Sequence, residues 1–167
     1  GPTEDPVTYC FVHDVAPAMG WTIHSASYPG AQGGIAILPE GYGRQRKRIY
    51  CDGVASIGNQ GILFEAKESE GKSISGKDPD KLANLVSNEV DGVKEAFTGV
   101  GVSLHSRPLT VVGFFSPGHG FESDRFGLVD GILSIDPQNL SWILYSIRKR
   151  NILAKGRCSA PLMLAVR

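Results

Sequence analysis

The sequence predicts an α/β (α+β) domain with a central mixed β-sheet flanked by helices, and three observations predict it. Two apolar runs flank the cluster Gly58-Asn59-Gln60-Gly61, the layout of a two-stranded unit joined by a turn. Asp-Pro occurs at Asp78-Pro79 and again at Asp136-Pro137, each time ahead of a mixed apolar run, which reads as an N-cap followed by a first-position proline of a helix. Pro108 to Phe115 is an apolar run rich in β-branched and aromatic residues, bounded by Ser116-Pro117-Gly118, and reads as a buried strand.

Taken from the start, Asp5-Pro6 opens a helix through Tyr9 to Val15, which Pro17 should end or kink at about Ala16. Gly30, Gly33 and Gly34 precede a short strand over Ile35 to Leu38. The hairpin follows, then a polar loop over Glu68 to Lys77. The helix from Asp78 should run to about Phe97, because Leu82, Leu85, Val86, Val93 and Phe97 recur at helical spacing. After the Pro108–Phe115 strand, a helix is expected from Asp136 through about Leu153, and a closing strand over Ala160 to Val166. The succession is hairpin, helix, strand, helix, strand.

The chemistry concentrates in the hairpin. Asp52 stands on the first apolar run, and Glu65-Ala66-Lys67 closes the second, with twelve residues between the two acids. Side chains on a strand alternate faces, so Leu63, Glu65 and Lys67 should share one face and Phe64 and Ala66 the other. Bringing Asp52 near Glu65 sets like charges together and raises the pKa of at least one of them, a conflict that a divalent cation removes. Hard carboxylate oxygens suit Mg²⁺, which commonly takes one or two protein carboxylates and completes its shell with waters and phosphate oxygens. Lys67 is then placed to orient or help deprotonate a water, or to steady charge developing on a phosphate. A Glu-x-Lys tripeptide alone carries no information; an exposed strand face often carries alternating charges. The aspartate on the preceding strand, the turn between and the Ile-Leu-Phe lead-in give it weight.

With these residues in view, the chain resembles the PD-(D/E)XK superfamily of restriction-endonuclease-like nucleases. The phrase Tyr50-Cys51-Asp52-Gly53, followed by Phe64-Glu65-Ala66-Lys67, is most similar to the nuclease domains of bacterial polymorphic toxins. The resemblance implies a restriction-endonuclease-like core and a Mg²⁺- or Mn²⁺-dependent endonuclease hydrolysing phosphodiester bonds, DNA ahead of RNA. It makes Asp52 and Glu65 metal ligands, the Ala66 carbonyl a further ligand, and Lys67 the catalytic lysine, so that Asp52, Glu65 and Lys67 form the catalytic set. Cys51 stands where the superfamily's name has proline, a position that members often vary. The motif spans about twenty residues, and outside it the order of elements alone supports the likeness. Within the same superfamily lies an RNA-cleaving alternative, the cap-snatching endonucleases, in which a histidine joins the carboxylates. His13, followed by Asp14, is the candidate for that role, and Glu89, on the apolar side of the helix after the hairpin, is a second accessory candidate. A different class of function also stays open, a catalytically inactive module of this fold that holds nucleic acid or a protein.

Composition bounds these readings. At 167 residues the chain suits one domain. Gly1-Pro2 reads as a scar left by protease removal of a tag, so the expected domain is 3–167, excised from a longer protein. No apolar run approaches the roughly 20 residues that cross a bilayer, so no membrane partner is expected, and no signal peptide is evident. Three widely spaced cysteines, Cys10, Cys51 and Cys158, argue for buried thiols in a reducing, cytoplasm-like compartment over a disulfide framework or structural zinc. A toxin would be delivered there as part of a larger secreted protein and would meet an immunity or inhibitor protein. Cutting both strands of a duplex would call for a homodimer or two successive nicks. Seventeen Lys and Arg balance seventeen Asp and Glu, yet the charges are sorted: the first cation is Arg44. Arg44, Arg46, Lys47 and Arg48 lead straight into the Asp52 strand and are the expected contacts to nucleic-acid phosphates. A second cluster, Arg148, Lys149, Arg150, Lys155 and Arg157, reads rather as the solvated end of the last helix. His119, after the strand end, lines a cleft or is solvated, His24 and His105 have no assigned role, and no Walker or GxGxxG motif suggests ATP or NAD.

Overall fold

The computed structural model describes residues 4–28, 31, 36–37, 49–75, 78–87, 90–127 and 129–159. Seven strands form one sheet in the order β1-β4-β5-β6-β7-β8-β9. They are β1 Thr22–Ala26, β4 Gly53–Ile57, β5 Gln60–Ala66, β6 Leu109–Phe115, β7 Gly131–Asp136, β8 Ser141–Ser146 and β9 Asn151–Arg157. β2 (Ala36–Ile37) and β3 (Ile49–Tyr50) make a separate antiparallel pair. The sheet is mixed: β5, β6 and β7 run parallel, and the other neighbours are antiparallel. Parallel neighbours need a crossover, and helices α3 (Glu70–Ser75), α4 (Asp78–Ser87) and α5 (Val90–Thr98) supply it between β5 and β6.

Alternation along β5 divides the molecule into layers. Ile62, Phe64 and Ala66 join the core under the N-terminal helices, with Val7, Cys10, Phe11 and Val15 from that side. Leu63 joins the opposite core, where α4 and α5 deliver Leu82, Leu85, Val93 and Phe97 onto Val112, Phe114 and Ile132. The faces expected from the period-2 pattern are the ones found. Phe11 lies flat on Phe64, with ring centroids 4.1 Å apart and planes 10° from parallel, and so fixes the N-terminal helix over the strand that carries Glu65.

The hairpin turn is tighter than expected. Ile57 pairs with Gln60, so only Gly58 and Asn59 lie in the turn, and Gln60 and Gly61 belong to β5. Gly58 has φ +55°, the left-handed value that a two-residue hairpin turn demands and that glycine meets without a Cβ clash. Gly61 serves packing instead: a Cβ there would sit 2.7 Å from the Phe97 ring.

The helix expected from Asp136 to Leu153 is absent; β7, β8 and β9 occupy that stretch as an antiparallel meander. The Asp136 carboxylate accepts from the Gln138 N–H and the Asn139 side chain, closing a turn rather than capping a helix. Trp142, Leu144 and Ser146 are buried while Ser141, Ile143 and Tyr145 are half-buried, a period of two. Leu140 and Arg150 take positive φ at the two turns.

Two smaller differences concern helices. The one helix expected over 78–97 is two, α4 and α5, though Leu82, Leu85, Val93 and Phe97 are all buried and Val86 packs beside them. At the N-terminus, α1 (Asp5–Cys10) continues as a π-helical turn over Phe11–Val15 into α2 (Ala16–Met19), so Pro17 does not stop the helix. In the wider π turn the Ala16 N–H reaches back five residues to Phe11, and a proline, which lacks an N–H, fits just after it. The helix ends instead at Gly20, φ +71°. β1, which the sequence did not suggest, follows directly. Of the short strand expected over Ile35 to Leu38, Ala36–Ile37 is described and forms β2. Gly1-Pro2, Gly30, Gly33, Gly34 and the closing strand over Ala160 to Val166 lie outside the described residues. All three cysteines are buried and free, with the Cys10 thiol beside Cys158 and pushed up by burial.

Candidate active site

Two strand ends build the site. β4 begins just after a bend at Asp52 and β5 ends at Ala66, and since Gly53 pairs with Phe64, Asp52 comes level with Glu65 one step further along. The Asp52 carboxylate accepts the Ala66 N–H at 2.9 Å, which clamps it against the end of β5. Glu65 is 4% exposed. The sequence expectation that these two acids meet is therefore realised, and the Ala66 peptide is part of the same contact.

A cation already stands on the pair. Lys81, on the first turns of α4, donates from Nζ to Glu65 Oε1 at 2.7 Å and to the Tyr50 carbonyl. Nothing in the sequence marked it: it flanks the apolar stripe next to Leu82, sixteen residues from Glu65, and only the docking of α4 on the sheet brings it in.

Burial pushes the Glu65 carboxyl up to about 8; the neighbouring Asp52 charge and a hydrogen bond to Asp52 raise it further, and Lys81 offsets part of this. A formal Glu65–Lys81 ion pair and a carboxyl that holds its proton at neutral pH are in tension. Burial is the larger influence, so the Glu65 carboxyl stays well above the ordinary carboxylate range even with the Lys81 Nζ hydrogen-bonded to it.

Lys67 follows β5 directly, its N–H donated to the Gly113 carbonyl at 2.8 Å, so its backbone is anchored between β5 and β6 at the site. His13, in the π turn, is on the Tyr28 hydroxyl at 2.6 Å and stacks near Tyr9. It is not gathered with the carboxylates: among the described residues no three His, Cys, Asp or Glu side chains converge as a metal-binding group. His119 is held from both ring nitrogens, Nδ1 to Ser134 at 2.8 Å and Nε2 to Ser141 at 3.0 Å, and burial lowers its pKa against the pull of Asp136. His24 bonds Ser56, and His105 bonds Asn59. Arg44, Arg46, Lys47, Arg48 and Glu89 lie outside the described residues. Of the second basic cluster, Arg148, Lys149 and Arg150 sit in the β8–β9 turn, and Lys155 and Arg157 on the edge strand β9, not at a helix end.

The donor set fits a hard divalent cation. Two carboxylates converge where their charges conflict, and a buried acid there already draws an ammonium to itself. Mg²⁺ commonly uses no more than one or two carboxylates and fills its remaining positions with water and phosphate oxygens, so a pair suffices. Comparison of the chain with protein-family models, curated proteins and solved structures finds no match.

Proposed function

We propose that this chain is a divalent-metal-dependent nuclease that hydrolyses phosphodiester bonds, DNA before RNA, on a restriction-endonuclease-like core, and that it serves as a toxin or defence effector. The observation that carries the reading is the meeting of Asp52 and Glu65 at the ends of adjacent strands, where a cation would relieve the repulsion that raises Glu65. Asp52 and Glu65, with the Ala66 carbonyl, would hold Mg²⁺ or Mn²⁺. Such an ion supplies a water of lowered pKa and neutralises charge that builds on the phosphate. The protein's own contribution is placement. Asp52 is fixed by the Ala66 N–H, and Glu65 by the strand that carries it. Lys67, anchored through Gly113, orients the attacking water or steadies the developing charge. Arg44, Arg46, Lys47 and Arg48, leading into the Asp52 strand, take the nucleic-acid backbone.

One observation favours a second reading. Lys81 already occupies Glu65 Oε1, and a closed contact of this kind suits an inactive module that holds nucleic acid or protein. Calorimetry separates the two. The nuclease binds Mg²⁺ or Mn²⁺, loses that binding in Asp52→Ala, and cuts plasmid, single-stranded DNA or RNA only with metal present. A protein that takes up no divalent ion and leaves all three substrates intact is the binding module.

A further inference from the structure

We propose that Lys81 is the resident counterion of the carboxylate pair: it holds Glu65 until a divalent cation takes the two acids, and then turns its ammonium to a phosphate of the bound nucleic acid. The inference rests on the nuclease reading and goes beyond it by giving the site a moving part. Three observations lead there. Lys81 Nζ holds Glu65 Oε1 at 2.7 Å, and a divalent ion brought onto the same carboxylate would stand a few ångströms from the ammonium, where the two positive charges repel. The Lys81 side chain is 27% exposed against 5% for Glu65, so the lysine reaches solvent while the acid is closed off from it. Lys81 comes from α4 and not from either carboxylate strand, so a rotation about its flexible stem releases Glu65, together with the Tyr50 carbonyl it also holds, while β4 and β5 stay in place.

The displaced ammonium is then a compact point charge at the rim of a site that receives polyanion, where phosphate is its natural partner. The arrangement also leaves the buried Glu65 of the metal-free protein hydrogen-bonded in place of an unsatisfied buried polar group, for which the cost would be high.

The test reads Lys81 itself. Wild-type protein is acylated with a trace of acetic anhydride at fixed pH, with Mg²⁺ or with chelator, and labelling is read at each lysine by mass spectrometry. Mg²⁺ should raise the labelling of Lys81 several-fold, leave Lys72 on α3 unchanged, and have no effect on Lys81 in Asp52→Asn. If calorimetry shows Mg²⁺ bound to the wild type while Lys81 labelling stays the same or falls, the inference is overturned and the nuclease reading stands. If no Mg²⁺ binds, the nuclease reading fails and the inference goes with it. A second arm tests the phosphate contact: Lys81→Met should raise KM for nucleic acid under Mg²⁺ while its Kd in chelator matches wild type, and Lys81→Arg should recover most of the KM. A wild-type KM in Lys81→Met overturns that half.

Discussion

Glu65 is the group in this site that most needs something from its surroundings. Its folded-state pKa, about 8, lies above the ordinary 4.5, so the native metal-free protein keeps a proton that the unfolded chain gives up. Stability is therefore unpenalised below about pH 4.5 and is lost progressively up to about pH 8, at roughly 1.4 kcal/mol per pH unit. Urea denaturation from pH 5 to 9 should show wild type falling relative to Glu65→Gln, with Mg²⁺ restoring the wild type; parallel curves would show that Glu65 titrates normally. Lys67 answers a different question. Lys67→Ala should keep metal and nucleic-acid binding while cleavage falls about 10²-fold or more, the loss expected for one electrostatic stabiliser or one positioned acid or base. Lys67→Arg should recover it only in part, since the guanidinium fork replaces a compact ammonium. Near wild-type cleavage by Lys67→Ala would reduce Glu65-Ala66-Lys67 to a coincidence of strand charges.

At the scale of elements, the N-terminal helix and α4 act on the same strand from opposite faces. Phe11 stacks on Phe64, the residue before Glu65, and Gly53, the residue after Asp52, leaves room for that ring, since a Cβ there would come within 3.0 Å of Phe11. Phe11→Ala should destabilise the fold by about 3–5 kcal/mol, because Phe11 is fully buried and its loss leaves a cavity directly behind the site. A change under about 1 kcal/mol in urea denaturation would mean that the helix contributes little to holding β5. On the other face, α4 sets Lys81 against Glu65 through the burial of Leu82 and Leu85, so the packing of this helix and the electrostatics of the site are one arrangement.

Across the whole molecule the charges are unevenly distributed, although they sum to zero. Every cation lies at or after Arg44, and the cluster from Arg44 to Arg48 adjoins in sequence the strand pair that leads to Asp52. Reversing Arg44, Arg46 and Lys47 to Glu should weaken nucleic-acid binding and lower its salt slope on duplex DNA by about 0.9 for each phosphate that is no longer neutralised, with any sequence preference kept. Binding and slope at wild-type values would make the cluster a solvated stretch. No helix among the described residues is long and apolar enough to cross a membrane.

By itself the sequence determined the hairpin, its two faces and the approach of Asp52 to Glu65. Those are local matters of a period of two and a short separation, although the turn itself closes over two residues and not the four of the Gly58–Gly61 cluster. It also determined which faces of the crossover helices are apolar. Local rules misled where one signal serves two structures. Asp136-Pro137 opens a turn as readily as a helix, and the choice fell to the sheet, which offered β8 a paired, half-buried place and β9 a paired edge that together outweigh helix propensity. Pro17 likewise met a π turn that no pattern of residues announces. Tertiary structure alone decided the cation on Glu65, because which lysine reaches a buried acid depends on where a helix docks and not on its distance along the chain.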